Sequence, residues 1–143
     1  MTSATEEIER SLGGTWLLER SENVTEYLTE LGVGNYVRRS MTEVESTQTI
    51  SVFGDVIRLE MKCGDKQHVK LEFRLNEEFQ IDAGQPSLAR ACWEHGALVL
   101  TVRRLGCRRL QVIERRLVGD RLVQTMRCNN VTCTRVMRRM QTT

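Results

Sequence analysis

From Val44 to the C-terminus, turn-forming residues interrupt the chain at a nearly constant interval, and this rhythm constrains the fold more than any other feature. Turn signals fall at Gly54-Asp55, Gly64-Asp65, Gly84 to Pro86, His95-Gly96, Gly106, Gly119-Asp120 and Asn129-Asn130. Most gaps are 10 to 13 residues, and the longest, from Gly64 to Gly84, has room for two short strands. Short strands at this spacing indicate an antiparallel sandwich or barrel rather than βαβ units. The segments between turns alternate in character, as half-exposed strands do. Ile57, Leu59 and Met61 share one face and Arg58, Glu60 and Lys62 the other; Leu98, Leu100 and Val102 alternate with Val99, Thr101 and Arg103.

The region before Val44 differs. Asn23-Val24-Thr25-Glu26 has the form of a capping box, and Val24, Tyr27, Leu28 and Leu31 recur at helical spacing before Gly32. Gly32 suits a left-handed helix stop, and Asn35 is placed to start a second short helix through Tyr36, Val37 and Met41. The expected order is strand, two short helices, then a run of strands. Residues 1–10 are polar and acidic and are read as a flexible tail, leaving 11–143 as one domain. With 143 residues, a single domain is the ordinary outcome, and no apolar run approaches the ~20 residues of a membrane-spanning helix. No signal-peptide pattern is present, so a cytoplasmic location is expected, with the nucleus as a further option.

Five cysteines, Cys63, Cys92, Cys107, Cys128 and Cys133, form no CxxC pair, and neither His68 nor His95 stands at metal-ligand spacing to them. Free, mostly buried thiols, no metal and no cofactor are expected. GxSxG, P-loop and HExxH patterns are all missing, so catalysis is not expected.

Charge is uneven. The net is +2, yet residues 98–143 carry 11 arginines against Glu114 and Asp120, a balance of +9, which leaves −7 on residues 1–97. Such asymmetry fits either a basic outer surface or arginines turned inward. On the last strand Cys133, Arg135 and Met137 share a face; on an earlier one Ile113, Arg115 and Leu117 do; between them Gln124, Met126 and Cys128 do. A barrel of about ten strands is wide enough to hold a small ligand. If Arg115 and Arg135 line its interior, each buried cation needs a carboxylate, ordered water or an anionic ligand. Alternation alone leaves open that they pair with internal acids or face solvent, because a one-residue slip reverses every side chain.

Further motifs resemble the intracellular lipid-binding proteins, the family of fatty acid-binding and cellular retinoid-binding proteins. Gly14-Thr15-Trp16 with Ser21-Glu22-Asn23, Tyr27 and Leu31-Gly32-Val33-Gly34 resembles the family's N-terminal signature. Gly54-Asp55-Val56-Ile57 resembles its first hairpin; Leu75, Glu78 and Phe79 a mid-chain motif; Val131-Thr132-Cys133-Thr134-Arg135-Val136 its last strand. The resemblance implies an all-β fold: a ten-stranded antiparallel up-and-down β-barrel with an N-terminal helix-turn-helix lid. It also implies monomeric, non-enzymatic transport of a hydrophobic carboxylate, foremost a long-chain fatty acid, with a retinoid as the alternative. The family's carboxylate site, two arginines and a tyrosine, maps onto Arg115 and Arg135, with Arg135 expected to bond the carboxylate and Arg115 to assist. Met137 stands where the tyrosine would be, which removes a hydroxyl donor.

By the same resemblance, Leu59, Met61, Ile113, Met126, Cys133 and Met137 are expected along the ligand chain, with Val24, Tyr27 and Leu28 on the lid. Arg38 and Arg39 are candidates for transient contact with anionic membranes. The competing function is a basic β-barrel module for nucleic acid or an acidic protein, built on Arg103-Arg104, Arg108-Arg109 and Arg138-Arg139. Nucleic acid is the less expected partner, since residues 98–143 lack aromatics on which bases would stack.

Overall fold

The computed structural model describes residues 2–32, 45–64, 67–81, 86–105 and 109–140. Its elements are α1 (Ala4–Leu12), β1 (Gly14–Glu22), α2 (Val24–Leu31), β2 (Ser46–Phe53), β3 (Val56–Cys63), β4 (Gln67–Arg74), β5 (Phe79–Ile81), β6 (Ser87–Glu94), β7 (Ala97–Arg104), β8 (Leu110–Val118), β9 (Arg121–Cys128) and β10 (Val131–Arg139). The ten strands form one antiparallel sheet in the order β4-β3-β2-β1-β10-β9-β8-β7-β6-β5. Every sequential neighbour from β2 to β4 and from β5 to β10 pairs, and β1 joins the two runs by pairing with both β2 and β10. The result is the expected up-and-down barrel, nearly closed. At its seam, where β4 and β5 face each other, Phe73 and Phe79 stack with centroids 4.8 Å apart.

An up-and-down course places alternate turns at opposite ends of the barrel. The chain enters β1 at the end that also holds the β2–β3, β6–β7 and β8–β9 turns, and leaves it at the end holding the β9–β10 turn. The two helices on either side of β1 therefore close opposite ends.

Helix α1 occupies a segment that the sequence suggested was a flexible tail. Ser3 Oγ accepts from the Glu6 amide at 3.2 Å, Glu6 and Glu7 lie in the first turn, and Arg10 lies in the last. Each charge complements the helix dipole at its own end. Ile8 and Leu12, one turn apart, are fully buried in the same core as Trp16, Ile50, Leu98 and Leu122. Trp16 Nε1 donates to Leu12 O at 2.9 Å, and Trp93 Nε1 donates to Glu7 Oε2 at 2.7 Å. The tail assignment failed because only two large apolar residues, Ile8 and Leu12, mark the segment; the Ser3-to-Glu6 capping spacing was the available signal. Ile8→Ala is expected to cost about 2–4 kcal/mol of unfolding free energy in urea titration, as for a filled core position. A cost near zero would show α1 to be dispensable.

Helix α2 lies where its periodicity predicts it. Val24, Tyr27, Leu28 and Leu31 are buried against Met126, Cys128 and Cys133 of β9 and β10. Gly32 ends it at φ 80°, where a side chain would be strained. The expected capping box does not form. Asn23 is itself left-handed, at φ 67°, and its Nδ2 donates to Thr132 O at 2.9 Å, tying the helix start to β10 instead of to its own backbone. The second helix expected from Asn35, with Arg38 and Arg39, lies outside the described residues.

Candidate functional site

Strand register sets the site. Arg115 on β8 pairs with Gln124 on β9, and Gln124 pairs with Arg135 on β10. The three residues therefore form one row across adjacent strands, with backbones of the outer two about 10 Å apart. All three are buried, Arg115 at 1% exposure and Arg135 at 8%, so the inward placement of both arginines is settled.

Arg115 reaches across the barrel. Its Nε donates to Gln48 Oε1 on β2 at 2.8 Å, and its Nη2 lies 3.6 Å from Met61 Sδ on β3. Its Nη1 has no hydrogen-bond partner among the described residues. Burial lowers its pKa to about 10, so it remains a cation at neutral pH. That depression corresponds to a penalty of about 3 kcal/mol on the charged form. Arg135 sits differently: Nε is 3.4 Å from Ser21 Oγ and Nη2 is 3.4 Å from Ser46 Oγ. Burial also lowers its pKa, with the nearby Cys133 and Cys63 thiols acting the other way.

Two glutamines complete the polar centre. Gln48 Nε2 donates to Gln124 Oε1 at 2.7 Å and lies 3.0 Å from Met137 Sδ; Gln124 Nε2 lies 3.3 Å from Met126 Sδ. Met137 thus accepts where a tyrosine would donate. Around this centre is a cavity of about 260 Å³ whose apolar wall includes Met61, Leu71, Leu100, Ile113, Met126 and Met137. Ser46 and Cys63 line it as well, 3.4 Å apart through their side-chain heteroatoms.

Of the residues singled out from sequence, Arg115, Arg135, Met61, Ile113, Met126 and Met137 meet at this cavity. Leu59, one inward position nearer the α1 end than Met61, is fully buried in the packed core. Val24, Tyr27, Leu28 and Cys133 belong to the cluster beneath α2. Tyr27 hydroxyl accepts from Gln111 Nε2 at 2.7 Å, and burial pushes its pKa up to about 12. None of these five residues lines the cavity: Leu59 is taken up by the core at the α1 end, and the other four by the packing of α2 on the end of β9 and β10. Gln48 was missed from the site. The signal was its phase: Ser46, Gln48 and Ile50 alternate with Thr47 and Thr49, which places a polar residue on the inward face of β2.

Six other arginines of residues 98–143 are held at separate places. Arg116 donates to His95 O, Arg121 pairs with Glu19 and Asp120, and Arg127 lies 3.7 Å from Glu114. Arg104 and Arg109 reach Leu31 O at the end of α2. Arg139 lies over the Trp16 ring, 4.2 Å from its centroid, and donates to Gly13 O.

A nearly closed ten-stranded meander enclosing two arginines within an apolar-walled cavity defines a barrel built to contain a small amphipathic ligand. Sequence comparison supplies the family. The chain is 34% identical over 131 residues to mouse fatty acid-binding protein 12, covering 90% of this chain and 97% of that one. It is 32% identical over 126 residues to human fatty acid-binding protein 9, covering 86% and 92%. This chain belongs to the fatty acid-binding protein family. No family model matches it. Among solved structures, apo lipid binding protein 8 of Caenorhabditis elegans superposes with a TM-score of 0.87 at 25% identity, covering 98% of this chain and 99% of that one. A Schistosoma mansoni fatty acid-binding protein, solved with arachidonic acid, shares the fold at a TM-score of 0.84, with 24% identity over 92% of this chain and 97% of that one.

Proposed function

We propose that this protein binds a long-chain fatty acid inside the barrel and carries it, without catalysis, as a monomer in the cytoplasm and nucleus. The observation that carries the proposal is Arg115: a buried cation whose Nη1 has no partner among the described residues, at the edge of an apolar-walled cavity. A ligand carboxylate at that atom offsets the buried charge through a charge-assisted hydrogen bond. Arg115 is then the principal anchor and Arg135 the second, the reverse of the order expected from sequence, since Arg135 is already held towards Ser21 and Ser46. The cavity volume lies just under the roughly 300–1,000 Å³ of ordinary small-molecule sites. Met61, Met126 and Met137 supply the adaptability an entering alkyl chain requires.

Lipids extracted from the purified protein and identified by mass spectrometry test this directly. A fatty acid is expected with the native chain and a reduced amount with Arg135→Ala. The proposal fails if neither form retains a fatty acid supplied in excess. Salt separates it from the nucleic-acid alternative. Affinity for oleate is expected to change less than about twofold between 50 and 200 mM salt, where a protein making several phosphate contacts loses orders of magnitude.

A further inference from the structure

Gln48 carries the polarity of the cavity. It is 5% exposed, and its two ends face chemically different groups. A guanidinium only donates, so the amide oxygen must face Arg115 and the amide nitrogen must face Gln124. Gln124 is then obliged to present its oxygen to Gln48 and its nitrogen to Met126 Sδ. The chain from Arg115 through Gln48 to Gln124 and Met126 has one direction, and the arginine sets it.

The amide does one further thing by being neutral: it orients the guanidinium without cancelling its charge. No carboxylate meets Arg115 among the described residues, and its Nη1 stays open. A glutamate at this position has nearly the same shape and would place an anion on Arg115 Nε, with Gln124 reversing its amide to donate to it. The buried cation would then be compensated from within the protein, and a ligand carboxylate would meet a neutral pair instead of an open charge.

We propose that Gln48 is the positioning residue that selects an acid over a neutral lipid: it aims Arg115 across the barrel while leaving the charge for the ligand. The proposal rests on the carboxylate-binding function above. Gln48→Glu and Gln48→Leu are to be compared with the native protein by calorimetric titration with oleate and with oleyl alcohol, and by thermal melting without ligand. The native protein is expected to prefer oleate. Gln48→Glu is expected to lose about tenfold or more of its oleate affinity, as a buried charge already paired would, to keep its affinity for the alcohol, and to melt at a higher temperature. Gln48→Leu is expected to melt lower and to lose oleate affinity more than alcohol affinity.

A purely structural role for Gln48 would lower both affinities in proportion, and that result overturns the proposal. So does a folded Gln48→Glu that binds oleate as the native chain does. If the native protein binds neither lipid, the carboxylate function fails by itself, and melting alone judges Gln48. A glutamate variant melting higher then upholds its role in leaving Arg115 uncompensated, and one melting no higher refutes it.

Discussion

Arg115→Met is expected to make the ligand-free protein more stable, by about 2 kcal/mol, while weakening oleate binding by about 100-fold. Both effects come from one fact: the guanidinium is fully buried and bonded through Nε, but its Nη1 is unmatched among the described residues. Replacing a buried ion by an apolar side chain of similar volume is commonly neutral or stabilising by about 1–4 kcal/mol. Loss of Arg115 leaves Gln48 Oε1 without its donor, which offsets about 1 kcal/mol of that gain. The ligand loses up to two charge-assisted hydrogen bonds at about 1.5–3 kcal/mol each, hence the 100-fold. Urea denaturation without ligand and calorimetric titration with oleate measure the two sides. A destabilised variant that binds oleate normally would show that the cation is structural.

The same residue sets a pH signature. Burial lowers the pKa of Arg115 in the folded chain to about 10, well below that of an ordinary guanidinium. The folded state therefore releases this proton before the unfolded state does, and the unfolded state binds more protons between those values. The penalty is fully present below pH 10 and is relieved as pH rises above 10 towards the ordinary guanidinium value. Tyr27 opposes this, since its raised pKa means stability is lost as pH rises from 10 to about 12. The difference between native and Arg115→Met isolates the arginine: the variant's stability advantage is expected to be constant up to pH 9 and to shrink above 10. Oleate affinity of the native chain is likewise expected to be level from pH 7 to 9 and to fall above 10.

Trp16→Ala is the second large effect, about 3–5 kcal/mol of lost stability by urea titration. Trp16 is fully buried where β1 leaves α1, between Arg139 of β10 and Gln48 of β2 in register. Its ring carries the Arg139 guanidinium, and its Nε1 satisfies Leu12 O at the end of α1. Truncation opens a cavity at the floor of the barrel and releases the helix that plugs it. Trp16→Phe keeps most of the volume and is expected to cost about 1–2 kcal/mol, chiefly the hydrogen bond. Equal losses for alanine and phenylalanine would assign the whole effect to that bond.

Much of this was legible from local pattern. Turn spacing located the hairpins from β2 to β10, including the two strands fitted between Gly64 and Gly84, because glycine and asparagine at turns act on their immediate neighbours. Four apolar residues located α2 for the same reason. Alternation grouped Arg115 with Ile113, and Arg135 with Met137, before their direction was known. Where local signals were thin, the inference failed: α1 was missed, and a cap was assigned to Asn23 that its bond to Thr132, 109 residues away, displaces.

Period-2 alternation therefore sufficed for which residues travel together, and motif resemblance for the family to which they point. Which way each set faces is not a local property, because both phases of a strand satisfy the same backbone. Closure of the sheet through β1 and β10 decided that Arg115, Gln124 and Arg135 form one inward row. Closure also brought Gln48 across 67 residues of chain to Arg115. Distance through the barrel, absent from any window of sequence, made a scattered set of polar residues into one site.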